Sequence, residues 1–301
     1  MRIGKPEENV LKRINKYLKP CRNELVTALK QTVINYDFAA SAALVSALNE
    51  LYSLPADPLG ITIGLVLPLD AEPKYATAML EQLSIITEKE AVPITSIDVT
   101  AQAVNKPMLT ISAFGNKKVS KAKPTNHGDI LIAGYVAGLG SAVMADLKKN
   151  ELKKVFSEPF IKDALEFKEH LSIKKIAEIA FSEGAGYVFP FAEGGIFSGL
   201  WEMAEKLKSG MSIDIRKIPI RQETVELSEV IQINPYLIDS TGAVMIVTDN
   251  GNELLRTLTV SGINAALVGT LKPGNDRILQ NGEEVRYIDR PKEDEIYRLY
   301  E

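Results

Sequence analysis

"VFPFAEGGIFSGLWEMAEKL", residues 188–207, begins as an apolar strand and ends as an amphipathic helix, with Glu193, Gly194 and Gly195 at the join. Two glycines ahead of a helix let the backbone come close to a ligand, and the free N–H groups of a helix start favour anions. The residues leading into the turn are Phe189, Pro190, Phe191 and Ala192, which neither titrate nor bind metals. The turn therefore has the shape of a phosphate cradle without reactive companions. Two readings follow: a cradle held by Glu193, Gly194 and Gly195, or a tight strand–helix connection kept for packing, with Glu193 placed near the positive end of the helix dipole. The apolar neighbours favour packing.

Working outward, strands and helices alternate on both sides. "GITIGLVLP" (60–68), "VPITSIDVT" (92–100) and "KPMLTISAFG" (106–115) read as strands, and "AASAALVSALNEL" (39–51) and "PKYATAMLEQLSIITEKE" (73–90) as helices. After the basic, Pro-containing stretch 116–128, the best linker candidate, "DILIAGYVAG", "GAVMIVTD" and "NAALVGTL" are strands. "LGSAVMADLKK", "QETVELSEVI" and "GNELLRTLTVSG" are helical, and Asn281-Gly282 between apolar runs signals a tight hairpin. Residues 7–31 are expected to be helical with a break at Pro20, which leaves only "VINYDFAAS" for a shortened first strand bearing Asp37. The pattern predicts an α/β protein of two domains, 1–120 and 121–301.

Composition excludes several function classes. Of 301 residues, 46% are hydrophobic and 25% charged, which suits a globular protein with a large core. The formal charge of −4 offers no footprint for nucleic acid or an anionic membrane. The longest apolar run is interrupted by Pro68 and too short to span a bilayer, and the charged start "MRIGKPEENVLKRINKYLK" is no signal peptide, so the cytoplasm is expected. One cysteine, Cys21, and two histidines, His127 and His170, make a disulfide or zinc site improbable.

Five blocks in order carry a resemblance: "HGDILIAGYVAGLGS" (127–141), "AEGGIFSGLWEMAE" (192–205), "IPIRQETVEL" (218–227), "INPYLIDSTGAVMIV" (233–247) and "PKEDEIYRLY" (291–300). "ALNELYSLPADPLGITIGLVLP" (47–68) and "VNKPMLTISAFG" (104–115) add to it in the first half. The sequence resembles the superfamily of aminoimidazole ribonucleotide synthetase and the hydrogenase maturation factor, and looks closest to the latter branch. The resemblance implies an N-terminal mixed sheet with helices that pairs with a second chain to close a barrel, and a C-terminal α/β sandwich. It implies ATP in a cleft, phosphates on glycine turns, magnesium on N-terminal acids, and activation of an amide or carboxylate oxygen by phosphorylation.

Several positions depart from that pattern. The family's His-Asp-x-Thr-x-Gly-Gly turn reads Phe189-Pro190-Phe191-Ala192-Glu193-Gly194-Gly195 here, and the phenylalanines are expected to fill the ligand's space. The acid after Asn49 is Glu50 rather than Asp, and the family's Gly-Gly-His-Thr-Glu turn aligns with residues 95–99, which keep Asp98 but no glycine. The sequence as read ends in Arg298-Leu299-Tyr300-Glu301, so chemistry on a C-terminal cysteine is not expected. Magnesium on Glu50 and Asp98, with Asp37, Asn49, Glu193, Gly194 and Gly195 around ATP, is one expectation. The other is a degenerate homodimer that binds a small molecule or protein and needs no cofactor.

Overall fold

The computed structural model describes residues 8–16, 25–118 and 128–300, which fall into two compact units: Pro20–Val119, and Met1–Lys19 together with Ser120–Glu301. Helix α1 (Glu8–Asn15) groups with the second unit, although the sequence assigns it to the N-terminal domain. Cys21, His127 and most of the expected linker lie outside the described residues.

The N-terminal unit runs β1 (Leu25–Val33), α2 (Ala39–Tyr52), β2 (Ala56–Pro68), α3 (Pro73–Glu90), β3 (Ile94–Gln102) and β4 (Met108–Lys117). Its four-stranded sheet has the order β1-β4-β2-β3, with only the β2–β3 pair parallel. Residues 25–31, expected to be helical, are strand. Leu25 to Val33 pair with Asn116 to Met108 along nine positions, and that ladder overrides a local pattern readable as either period. The first strand therefore runs over nine residues and precedes Asp37. Helix α2 is built mostly of Ala, Leu and Ser, and its small side chains let it lie close against β1, β4 and β2. Ile61, Ile63, Leu65, Leu109, Ile111 and Ala113 point toward the helices and are buried.

Among the described residues, no helix of this unit covers the other face of the sheet. Its rows run Val33–Met108–Val66 and Leu29–Ser112–Thr62 across the strands. Leu29 is 61% exposed, and Val33 and Met108 are exposed beside it. Eight of the nine residues of edge strand β3 are exposed too.

The C-terminal unit continues with β5 (Asp129–Gly134), α4 (Gly138–Leu147), α5 (Lys149–Leu152), α6 (Glu158–Leu165), α7 (Lys174–Ser182), β6 (Tyr187–Pro190), α8 (Gly195–Leu207), β7 (Gly210–Asp214), α9 (Gln222–Ile231), β8 (Ala243–Thr248), α10 (Gly251–Val260), β9 (Ala265–Lys272), β10 (Arg277–Asn281) and β11 (Glu284–Tyr287). The sheet order is β11-β10-β7-β9-β5-β8-β6, mostly antiparallel, with β7 and β10 parallel. All six residues of β8 are buried, so both faces of the central sheet are covered. Ile130, Ile132, Met245 and Val247 share one core with Ile196, Leu200 and Met203 of α8. The hairpin forms where Asn281-Gly282 signals it, but Asn281 still pairs with Glu284, so the two loop residues are Gly282, with φ +65°, and Glu283 rather than the Asn-Gly pair of a type I′ turn.

Candidate functional site

The strand–turn–helix at 188–207 forms as the sequence predicts, and its glycines are both required by conformation. Gly194 has φ +86° and Gly195 φ +67°, a region that L side chains rarely enter. A Cβ on Gly195 would stand 2.6 Å from the Tyr236 carbonyl oxygen and 2.7 Å from that of Ile238. The close approach that a phosphate would need is made instead by the chain's own segment 236–238.

The N–H groups at the start of α8 are answered in the same way. Gly194 N donates to Asp294 Oδ2 at 2.5 Å, Gly195 N to the Ala192 carbonyl at 3.1 Å, and Phe197 N to the Tyr236 carbonyl at 3.2 Å. Asp294 lies in "PKEDE", a run that reads as a charged surface; it is 3% exposed. Its Oδ1 accepts from Ile296 N at 2.7 Å and from Asp239 N at 3.2 Å. Burial, and then the Asp239 carboxylate, push the Asp294 carboxyl well above the usual range, against the opposing pull of the Gly194 and Ile296 N–H groups. Tyr297 donates its hydroxyl to Glu193 Oε1 at 3.1 Å; burial and then the Glu193 charge raise its pKa. Glu193 thus ties the turn to the C-terminal segment rather than facing a ligand alone.

The second glycine turn, "GLGS" at 138–141, meets the same segment. Ala137 N donates to Ser240 Oγ (3.0 Å), Leu139 N to the Thr241 carbonyl (3.2 Å) and Gly140 N to the Asp239 carbonyl (3.0 Å). A Cβ on Gly140 would collide with Ile238. Residues 236–241 are therefore gripped between two helix starts, and Asp294 seals the remaining side. Asp129 caps a third helix, its Oδ2 accepting from Gly251 N at 3.2 Å where α10 begins. Ser198 Oγ, in the first turn of α8, is buried without a hydrogen-bond partner among the described residues.

The phenylalanines also differ from expectation. Phe191 is 1% exposed and lies in the core of its own unit, where its ring occupies the space left by Gly199 of α8. Phe189 packs at the edge of that core, with Lys206 Nζ 5.8 Å from its ring. Trp201 is half-buried rather than central, and the Arg277 guanidinium stacks 3.7 Å above it while pairing with Glu205. His170 stacks on Tyr135 with ring centroids 4.7 Å apart.

In the N-terminal unit the expected metal ligands do not converge within one chain. Glu50, on α2, pairs with Lys30 of β1 at 3.5 Å, on the helix-covered face. Asp98 stands opposite Gly64 in β3, on the uncovered face and at the other edge of the sheet. The two edge strands are three strand spacings, about 14 Å, apart. Asn49 is buried in α2, and Asp37 is exposed ahead of it, with Tyr75 near enough to feel its charge. Residues 95–99, aligned with a family turn, lie inside strand β3. Among the described residues no group of three or more His, Cys, Asp or Glu side chains could hold a metal ion, and no helix is long and apolar enough to cross a membrane.

Residues 126–280 match the family model described as AIR synthase related protein, C-terminal domain. The chain belongs to that family. Its similarity extends to a protein named as a hydrogenase expression/formation protein in Methanocaldococcus jannaschii, 23% identical over 276 residues, covering 85% of this chain and 77% of that one. Among solved structures, E. coli HypE, a hydrogenase maturation protein, superposes with TM-score 0.76 at 15% identity, covering 91% of this chain and 88% of the other. A HypE solved in complex with ATP gives TM-score 0.72 at 14% identity, with 96% and 92% covered. The fold of the AIR synthase-related and hydrogenase maturation proteins is therefore the fold of this chain. What the sequence did not reveal is Asp294, whose setting in a charged run gave no sign of burial.

Proposed function

We propose that this chain is a homodimeric, cytoplasmic binding protein on the AIR synthase-related scaffold, with its ATP chemistry lost. The observation carrying the proposal is the hydrogen bond from Gly194 N to Asp294 Oδ2. The N–H that would meet a phosphate already serves a buried carboxyl, and Gly195 is held against the 236–238 backbone. Apolar residues at 189–192 and the Lys30 partner of Glu50 point the same way. Dimerisation is supported by the uncovered sheet face, where Leu29, Val33 and Met108 present apolar surface that a second sheet would bury.

The likeness to a HypE solved with ATP favours a second reading, an ATP- and magnesium-dependent enzyme that phosphorylates an amide or carboxylate oxygen. Calorimetric titration with ATP and magnesium, paired with an assay for ADP release, separates the two. The binding-protein reading expects no heat of binding up to about 1 mM ATP and no ADP, since about 1 mM corresponds to only −4 kcal/mol. Micromolar ATP binding that is lost on Glu50→Gln or Asp98→Asn substitution would establish the enzyme instead.

A further inference from the structure

Beside the first turn of α8, next to the Gly194 hub, the C-terminal unit has a cavity of about 420 Å³ between α8, the loop at 234–237, the β10–β11 hairpin and residues 289–292. That volume lies in the range of small-molecule sites. Its apolar wall is Phe197 and Leu279, and Phe197 is braced from behind by Tyr236, the two rings stacked 5.1 Å apart at 12°. Its rim carries Arg286, Tyr287 and Arg290. Lys292 is also on the rim but pairs with Asp289 at 3.0 Å.

The charge arrangement is unusual for this molecule. Among the described residues, most other arginines are engaged: Arg216 with Asp214, Arg221 with Glu223, Arg277 with Glu205 and Arg298 with Glu295. Arg286 and Arg290 line a concave site with no ion-pair or hydrogen-bond partner among the described residues. Arg286 lines the same cavity as Phe197 and Leu279. Two unengaged forks beside an apolar, ring-lined wall fit one ligand chemistry: a dianionic oxyanion held by the guanidiniums and a planar or apolar group laid on Phe197 and Leu279.

We propose that this cavity binds a small phosphomonoester carrying a planar apolar group. The proposal goes beyond the loss of ATP chemistry and does not depend on it, since no cavity residue belongs to the glycine turn. Calorimetric titration of the full chain with phenyl phosphate at about 50 mM salt tests it, with inorganic phosphate and phenol as separate arms. The expected result is one phenyl phosphate per chain with Kd of about 1 mM or tighter, and inorganic phosphate and phenol each at least about tenfold weaker. Arg286→Ala and Arg290→Ala should each weaken phenyl phosphate by about tenfold or more, and the Lys replacements by less. Asp289→Ala, which releases Lys292, should tighten it. Both arginines are exposed, so the variants keep the parent's thermal melting, which is measured alongside. Absence of phenyl phosphate binding at 10 mM, or a Kd unchanged by both alanine variants, overturns the proposal.

Discussion

The two sheets of this chain are finished to different degrees. In the C-terminal unit both faces of the central strands are covered, and the helix starts at Ala137 and Gly194 are met by residues 239–241 and Asp294 of the same unit. In the N-terminal unit α2 and α3 cover one face only, and among the described residues of that unit no element covers the other face or the β3 edge. The contrast teaches where function should be sought. A unit that meets these helix starts with its own residues uses its motifs as fasteners, whereas a sheet with an exposed apolar row offers a surface for something to bury.

The sharpest way to break the closed unit is from inside the hub. Gly195→Ala adds a Cβ against two carbonyl oxygens at a positive φ and should cost about 3 kcal/mol or more, or prevent folding. Gly194→Ala meets only the Ser198 side chain and should cost less. Urea unfolding of both variants ranks them; equal small losses would mean the 236–238 segment is not gripped.

Next comes Asp294. Replacement by Ala leaves two buried N–H groups and one half-buried one without their acceptor and should cost about 2–4 kcal/mol in the same assay. The pH dependence has a definite sign. The carboxyl's folded pKa is raised, so the folded state keeps a proton that the unfolded state has already lost, and stability attributable to this group falls as pH rises from about 4 until the folded pKa is passed. Asp239 and Glu193 face the same carboxyl and contribute to that slope. Asp294→Asn should flatten the curve between wild type and variant above about pH 4; an unchanged slope would show that the carboxyl titrates normally.

The open unit is tested from its bare face. Leu29→Glu should convert the dimer to monomer at micromolar concentration with little change in the monomer's fold, read by light scattering and circular dichroism. A wild-type chain that is already monomeric removes the dimer. The smallest effect belongs to Glu50→Gln, which loses only a half-exposed pair with Lys30 and should shift stability by under about 0.5 kcal/mol.

Much of the architecture could be read from the sequence because its elements are strongly periodic: α3 falls on 73–90 as predicted, and β5, β8 and β9 are continuous apolar runs. The failure at 25–31 came where leucines at 25 and 29 fit a helix locally while pairing with 108–116 decided for strand. The glycine turn was legible as a turn, but its use was not. Whether Gly194 faces a ligand or Asp294 depends on a contact a hundred positions away, and nothing in "PKEDE" distinguishes the buried acid from its solvated neighbours. Phe191 showed the same limit, since an aromatic replacing a polar residue fits a filled pocket and a repacked core equally well until Gly199 is seen beneath it.

The separation of 100 residues between Gly194 and Asp294 also sets a clock for biosynthesis. At roughly 5–20 residues per second, a ribosome that has just made Gly194 needs on the order of 5–20 s more to deliver the aspartate. During that interval the Gly194 amide is left to water, and the hub closes only once the aspartate arrives.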